Sequence, residues 1–453
     1  MSTHKIQRFL PVIGLLASSF ILLIPQTASA VPSFARQTGM ACATCHTAFP
    51  ELTPFGRSFK LGGYTLTLTP TVEDKVKSQS DQLSLSTTPP LSVMVQTSLT
   101  SIKRPEPDTQ NSTVLLPQQL SLFYAGRITP MIGSFIQFTY DGNDNAIAMD
   151  NADIRTAKTM ILGGNEFHYG LTLNNSPTVQ DLWNSTPVWG YPYAASSVAP
   201  GPTAAVLLDG GLAQTSAGLG AYGAYHLGAD LLYGELTLYR SAHLGNGGVL
   251  GNGTNPGPAT NADVIQNTAP YVRFAYEHNW GDNSWEVGAL GLNADTYPAG
   301  TTPTDLTPTD SRKDVGVDTQ YQHIAGDNVY TVHAIHVREK QEWGSTSASN
   351  LSDTLSTSRV TGSYYFKRTY GAILQYFDTH GDTDALLYTG SANGSPKSTG
   401  LIADLLYMPW ENTRFSLQYT HYSKFDGGSA NYDGLGRNAS DNDTAFLVGW
   451  FMW

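Results

Sequence analysis

The sequence predicts a mostly β protein: a small N-terminal unit followed by an outer-membrane antiparallel β-barrel of about 16 strands. Three observations lead to this prediction. Only 14% of the 453 residues are charged, whereas ordinary soluble domains contain roughly 25%. Short segments of alternating apolar and polar residues follow one another from Leu91 onward, and the last segment is apolar and aromatic. No stretch after residue 30 is apolar for long enough to form a transmembrane helix.

Residues 1–30 are expected to be a signal peptide. Lys5 and Arg8 precede an apolar run from Leu10 to Ile24, and Ala28-Ser29-Ala30 forms a small-residue cleavage site. The run contains Pro11 and is too short to span a membrane as a helix. Without the two basic residues of this leader, 23 of the 25 Lys and Arg residues remain against 37 Asp and Glu residues. An acidic, exported chain argues against nucleic acid as a partner.

The N-terminal unit, residues 31–90, contains the run Cys42-Ala43-Thr44-Cys45-His46. Two cysteines three apart, with histidine directly after the second, form the attachment pattern of haem c. Each thiol adds to one vinyl group of the porphyrin, and His46 becomes the proximal axial ligand of the iron. A dithiol redox pair would not require His46, and a disulfide over this spacing would be strained. A zinc site would need more cysteines than these two. The motif therefore predicts one covalently bound haem c.

The rest of this unit is expected to support the haem. Ser33 to Thr44 can form the short helix that presents the thiols. Five apolar side chains can pack on a porphyrin face or simply on one another: Phe49, Leu52, Phe55, Phe59 and Leu61. Thr71 to Pro90 is polar and is interpreted as a connector. Because so short a unit cannot enclose a haem alone, the haem is expected to dock against or inside the barrel.

Residues 91–453 are expected to form the barrel. Sixteen strand candidates begin near Leu91, Gln118, Met131, Met149, Glu166, Ala213, Ala229, Ala269, Asn283, Arg312, Asn328, Thr354, Tyr370, Ser398, Asn412 and Thr444. In one of them Phe415, Leu417 and Tyr419 alternate with Ser416 and Gln418. A strand between lipid and a wet lumen must show this period of two with one apolar face. Fourteen or eighteen strands remain open alternatives.

Two connections and the chain end add to this prediction. The segment from Asn174 to Gly211 is long and rich in aromatic residues, and it is expected either to cover the surface or to fold into the pore. Gly245 to Thr268 is a second long connection. The final run, Phe446 to Trp453, resembles the assembly signal of bacterial outer-membrane barrels. In a closed barrel the last strand pairs with the first, so that no edge remains.

The sixth iron ligand is expected to come from the barrel, because no histidine or methionine lies between His46 and Pro90. Met94 is the favoured distal ligand, since it alternates with lipid-facing Val93 and Val95; its alternative role is to fill space inside the wall. A thioether ligand would raise the reduction potential of the haem. The other candidates are His226, His336 and Met408.

Ionisable residues at the strand positions expected to face the lumen allow two interpretations of the pore, an iron site or a network of ion pairs. The acidic residues are Glu235, Glu277, Asp153, Asp314, Asp318 and Asp404, and hard carboxylates suit iron cations. The basic residues of the same parity are Arg127, Arg155, Arg273 and Arg414. Because acidic and basic residues occur together at these positions, a lumen that contains many ion pairs is favoured over a dedicated iron site.

The runs Pro32–Gly39, Cys42–His46, Phe49–Leu52 and Phe55–Leu61 resemble one known family. They are similar to the fused monohaem cytochrome c–porin proteins of iron-oxidising bacteria, in which one c-type haem precedes an outer-membrane barrel. The similar block covers about thirty residues, and the remainder is similar in architecture. The resemblance implies an Fe(II) oxidase in the cell outer membrane. Electrons from extracellular iron would pass through the haem to a periplasmic carrier, either a cytochrome c or a small copper protein.

From the resemblance, Cys42, Cys45 and His46 carry over as haem residues. Arg57 and Lys60 lie in the same block and could pair with haem propionates, although a structural role at the end of a helix is the alternative. Two other functions stay open. The first is a porin whose haem unit serves another electron donor or a structural purpose. The second is a periplasmic electron carrier with a soluble β-domain.

Overall fold

The computed structural model describes residues 32–66, 89–105, 111–242, 263–301 and 306–453. The expected signal peptide and most of the expected connector lie outside these ranges. Three short helices come first: α1 (Pro32–Thr38), α2 (Cys42–Cys45) and α3 (Pro54–Leu61). Among the described residues, no helix has the length and apolar character needed to cross a membrane.

The strands that follow form one large antiparallel sheet. Its strands are β1 (Leu91–Ile102), β2 (Thr113–Thr129), β3 (Ile132–Asp141), β4 (Ala146–Leu162), β5 (Asn165–Asn174), β6 (Ser216–Leu227), β7 (Asp230–Ser241), β8 (Val264–Ile265), β9 (Ala269–Trp280), β10 (Asn283–Tyr297), β11 (Asp310–Ala325), β12 (Asn328–Glu342), β13 (Ser352–Phe366), β14 (Tyr370–Gly381), β15 (Ser398–Trp410), β16 (Thr413–Lys424) and β17 (Thr444–Met452). The two-residue β8 only flanks β10, and β7 pairs directly with β9. Sixteen long strands therefore form the wall.

The sheet closes on itself. The last strand pairs with the first, from Met94 opposite Met452 to Ile102 opposite Thr444. This confirms the prediction of a 16-stranded antiparallel barrel. The largest error in a predicted strand start is at β2, which begins at Thr113 rather than near Gln118. Near the start of this strand, Leu116-Pro117 interrupts the alternation of apolar and polar residues by which the rest of the strand was predicted.

The barrel is apolar outside and polar inside. In β7, Leu232, Leu236 and Leu238 point outward and are 47%, 49% and 48% exposed, whereas Glu235 and Thr237 point inward and are buried. A water-soluble β protein has the opposite pattern. An outer surface of this kind is stable only against lipid, and a closed barrel leaves no unpaired strand edge in the hydrocarbon layer.

The two ends of the barrel differ in their connections. At one end the strands are joined by short turns, including Gly163-Gly164, Gly228-Ala229, Gly281-Asp282, Gly326-Asp327 and Glu411-Asn412. At the other end all the connections between strands are longer, and residues 175–215 form the longest one that is fully described. Outer-membrane barrels place short turns in the periplasm and long loops outside the cell. The short-turn end is accordingly assigned to the periplasm.

Residues 32–66, referred to below as the plug, lie inside the periplasmic end of the barrel. The plug contacts strands on all sides of the wall through hydrogen bonds and ion pairs: Ser33 with Ser92 of β1 and Ala125 of β2, Tyr64 with Asp153 of β4, Leu61 with Tyr222 of β6, Arg57 with Glu277 of β9 and Gln322 of β11, Glu51 with Tyr365 of β13, and Phe49 with Arg414 of β16. The plug is thus part of the packed interior of the barrel.

The long connection of residues 175–215, referred to below as the inward loop, also enters the lumen. Its first part is buried, and Trp183 is only 1% exposed. Arg273 of β9 binds Asp181 of this loop at 2.9 Å, and Trp183 donates a hydrogen bond to Glu277. Of the two conformations expected from the sequence, the loop therefore adopts the one that folds into the pore.

Candidate functional site

The two cysteines lie on a single helical turn. Gly39 has a φ of 72° and ends the preceding helix, so that α1 and α2 are separate. The segment Ser33 to Thr44, expected to form the short helix that presents the thiols, is thus divided between α1 and α2, because the left-handed conformation at Gly39 interrupts it. The two sulfur atoms are not joined in a disulfide. Both cysteines thus lie on one helical turn, three residues apart.

A tight turn holds His46 next to these cysteines. His46 pairs with Leu52 as an isolated bridge, and the backbone N–H of Thr53 donates to the carbonyl of Cys45 at 2.9 Å. Helix α3 then passes so close that a Cβ atom on Gly56 would lie 2.1 Å from the Cys45 carbonyl oxygen. Only glycine is compatible with this approach. The motif and α3 therefore form one packed unit.

An apolar cleft opens beside the motif. Its volume is about 880 Å³, including the part open to solvent, and Cys42, Cys45 and His46 all line it. Most of the other lining residues are apolar or aromatic, among them Phe34, Phe49, Leu52, Phe55, Phe59 and Trp189. Mostly apolar walls with a few placed polar groups are typical of cofactor sites. The cleft could hold a porphyrin, with both thiols and one imidazole at its edge.

The ionisable groups at the cleft are affected mainly by burial. Desolvation lowers the pKa of His46 to about 4, although the nearby backbone carbonyls of Glu51 and Pro50 act in the opposite direction. The Nδ1 atom of His46 is buried and has no hydrogen-bond partner in the structure. Burial also raises the pKa of the Cys45 thiol to about 11. A neutral imidazole is the form that ligates iron, so this environment suits the predicted role of His46.

Glu51 connects the His46 turn to the barrel. Its side chain is fully buried and accepts hydrogen bonds from Tyr193 at 2.8 Å, Tyr365 at 3.1 Å and Ser363 at 3.2 Å on one oxygen. The other oxygen accepts from Thr47 at 3.1 Å. Nothing in the sequence marks Glu51 as an anchor, because its partners in the barrel and the long connection, Tyr193, Ser363 and Tyr365, lie far away along the chain. The four hydroxyl groups orient the turn relative to the wall.

Arg57 and Lys60, both expected near the haem propionates, point in different directions. Arg57 faces the wall, where it forms an ion pair with Glu277 at 3.0 Å and a hydrogen bond with Ser284 at 2.7 Å. It does not line the cleft, so its contacts fit a structural role and not a pairing with haem propionates. Lys60 does line the cleft, and its Nζ donates to the carbonyls of Val179 and Asp181. Burial lowers the pKa of Lys60 to about 7.

Of the five apolar residues expected to pack on a porphyrin, Leu61 is the exception. Phe49, Leu52, Phe55 and Phe59 line the cleft, whereas Leu61 packs with Leu182, Trp183 and Tyr222 on the other side of α3. Leu61 therefore has the alternative role, ordinary apolar packing, since the turn of the helix directs it toward the wall.

Met94 faces the lumen as its parity predicted, and it is 2% exposed. It belongs to a cluster with Phe59, Phe123, Phe135 and Trp450, of which Phe59 and Phe135 also line the cleft. Met94 itself is not among the cleft-lining residues of the described chain. Ligation of the haem iron by Met94 therefore stays a prediction.

The other methionine and histidine candidates occupy different places. Met408 lines a second hollow that also touches Cys42 and His46, and Met452 lines it as well. Met40 lines the cleft. Met452 is buried in the structure at 2% exposure. His336 lies on the outer face, exposed, beside Ser358. Of the candidate ligands in the wall and at the chain end, Met408 and Met452 thus lie in a pocket that reaches the motif, whereas His226 lines a separate pocket beside Arg57 and Leu61.

The polar lumen is built from ion pairs. Arg155 binds Asp153 at 2.7 Å, and Arg414 binds Asp404 at 3.3 Å. Arg273 contacts Glu286 and Asp318 as well as Asp181. In the described part of the chain, no three His, Cys, Asp or Glu side chains are grouped as a metal ion would require. The interpretation of the lumen as a network of ion pairs therefore agrees with the structure.

No protein-family model and no curated protein matches this chain. Several solved outer-membrane structures are similar in shape. A variant of OmpT of Vibrio cholerae that lacks one loop is 10% identical, over 80% of this chain and 98% of that chain, with a TM-score of 0.44. An anion-selective porin from Comamonas acidovorans is 11% identical over 80% and 98%, with a TM-score of 0.45. The channel DcaP of Acinetobacter baumannii is 14% identical over 80% and 96%, with a TM-score of 0.43.

These similarities are too distant to assign a function, and the location follows from the barrel itself. Sixteen strands close without an edge, and the outer surface is apolar along their length. Proteins of this construction span bacterial outer membranes. The chain is a porin-like barrel of the cell outer membrane, with its N-terminal segment packed inside the periplasmic end.

Proposed function

We propose that this protein oxidises extracellular Fe(II) and passes the electron through one haem c to a periplasmic carrier, a cytochrome c or a small copper protein. The observation that carries the proposal is the location of the Cys42–His46 motif. It lies on an apolar cleft inside the periplasmic end of an outer-membrane barrel. A redox group there would stand between the cell exterior and the periplasm.

The residues of the chain would hold the haem in three ways. Cys42 and Cys45 would attach it covalently, and His46 would ligate its iron on one side. The aromatic rings of Phe34, Phe49 and Phe59 would exclude water from the porphyrin faces. When bound, the haem supplies a one-electron acceptor that Fe²⁺ can reduce, with Fe³⁺ as the product.

Two further groups support an electron-transfer role. The Nζ atom of Lys60 is 4.7 Å from the centre of the Trp189 ring, and both side chains line the cleft. A buried ammonium group there could offset the charge of a haem propionate. Trp189 belongs to the inward loop, which starts and ends at the extracellular end of the barrel. The chain therefore provides a continuous protein contact from that end to the cleft.

The proposal is tested by mixing the oxidised, detergent-purified protein with ferrous iron in a stopped-flow spectrometer. We expect the α-band of reduced haem c to grow on mixing at acid pH. The variant in which Cys42 and Cys45 are both changed to Ala should show no such band. Reduction by dithionite confirms that the haem of the wild-type protein is competent.

A haem that dithionite reduces, and that ferrous iron leaves oxidised at every pH, would overturn the proposal. The protein would then be a haem-bearing barrel that serves a different donor or uses the haem structurally. Absence of covalent haem from correctly inserted wild-type protein would also overturn it, since the cysteine motif would then serve another purpose.

A further inference from the structure

Three potential metal ligands converge on the inner face of the barrel at its periplasmic mouth: Glu166, His168 and His226. Glu166 and His168 are two residues apart on β5, so their side chains lie on the same face of the strand. Register places His168 opposite Ala224, which is fully buried on the lumen side. The same register places Phe167 opposite Tyr225, and hence Glu166 across from His226. We call these three residues the mouth cluster.

The side chains of the mouth cluster are close neighbours. Nε2 of His168 lies 3.6 Å from Oε2 of Glu166. The ring centres of His168 and His226 are 4.9 Å apart, and the rings are nearly perpendicular. Glu166 is directly opposite His226, where Cβ atoms of neighbouring strands are about 5 Å apart, and His168 is diagonal to His226. Imidazole nitrogens bind zinc at about 2.0–2.1 Å, so two rings sharing one ion must come this close.

Two further features point to a ligand. Nδ1 of His168 is 2.6 Å from the Thr159 hydroxyl, a contact that orients the ring and leaves Nε2 for another partner. Nε2 of His226 is buried and has no hydrogen-bond partner. A buried polar atom without a partner is costly if the histidine serves packing alone. A bound cation would satisfy it.

We propose that the mouth cluster binds one divalent transition-metal ion of the zinc type, through His168, His226 and Glu166. Two imidazoles and one carboxylate form a common ligand set for such ions. The Glu166 side chain is 55% exposed, so that it can rotate toward the histidines and complete a set that is not yet grouped in the structure. The remaining coordination positions would be filled by water. The site does not depend on the haem, because none of its three residues lines the cleft.

The test is a zinc titration of the full-length protein in detergent, with its haem and without a histidine tag, in competition with a zinc-sensitive dye. We expect one tightly bound Zn²⁺ per chain. Changing His168 or His226 to Ala should weaken binding at least tenfold, with His226→Gln as the more conservative variant. Thr159→Ala should weaken binding about tenfold, the lower end for loss of a group that orients a ligand.

His336→Ala is the matched control, because this exposed histidine lies on the outer face, away from the mouth cluster. Its affinity for zinc should equal that of the wild-type protein. Zinc uptake that the His168 and His226 variants retain, or no stoichiometric uptake at all, would overturn the inference. The dye reports zinc and not haem reduction, so that failure of the iron reaction would not be mistaken for failure of this site.

Discussion

The barrel wall and the plug are held by different kinds of contact. In the wall, nearly every strand pairs with its neighbours in the sequence, and only the contact of β17 with β1 joins distant segments. In the plug, every anchor is distant. Arg57 reaches Glu277, Glu51 reaches Tyr365, and Tyr64 reaches Asp153. The comparison implies that the wall can form without the plug, whereas the plug needs the finished wall.

Deleting residues 444–453 should have the largest effect. The deletion removes β17, which pairs with nine residues of β1 and eight of β16, and leaves both of these strands with open edges. Open edges are not tolerated in the hydrocarbon layer. We expect no heat-modifiable barrel in the outer-membrane fraction. Deletion of residues 32–66 is the contrasting variant, and it should still yield a barrel. Loss of the barrel in both deletions would contradict the comparison.

Changing Arg57 to Ala should release the plug from one side of the wall. Glu277 would stay buried without its cation, and removal of one partner of a buried pair destabilises by about 3–5 kcal/mol. We expect faster proteolysis of residues 32–66, while the strands remain protected. Ser58→Ala is the matched control, since this residue of α3 is exposed and its hydroxyl donates to the Pro54 carbonyl of the same helix. Equal proteolysis of the two variants would show that Arg57 is not an anchor.

Changing Arg273 to Met should loosen the inward loop. Asp181 of the loop would lose its cation, and Glu286 and Asp318 would be left buried with it. Carboxylates of like charge repel one another without the guanidinium. We expect the ion conductance of single molecules in a planar bilayer to rise several-fold. Arg104→Met, which breaks an exposed pair with Asp441, should leave the conductance unchanged.

The smallest effect concerns Lys60 and pH. Burial lowers its folded-state pKa from 10.5 to about 7. Below pH 7 the full penalty of burying the ammonium is therefore present. Between about pH 7 and 10 the unfolded chain binds the extra proton, so that stability rises with pH. The free energy of unfolding should rise over this range by about 1–4 kcal/mol more in the wild-type protein than in Lys60→Met. A pH-independent difference between the two proteins would contradict this assignment.

The sequence predicted the barrel wall far better than the arrangement of the plug and the inward loop inside it. The alternation of apolar and polar residues in strands such as β16 is a local pattern. It therefore predicted the number of strands, the face of each strand that meets lipid, and the orientation of Met94 toward the lumen. The cysteine motif was equally visible, because its spacing is short. The directions of Arg57 and Leu61 could not be predicted, since both depend on which strands α3 meets. Glu51 was missed for the same reason.

By itself, the sequence determined the closed barrel and its location, because the pairing of adjacent strands and the contact of alternate residues with lipid are local consequences of composition and period. It also predicted the residues that would attach a haem. Only the tertiary structure decided that the plug and the inward loop share the lumen, and that Trp189 meets Lys60 at the cleft. These contacts join residues that are far apart in the sequence, and their geometry exists only after the barrel has closed.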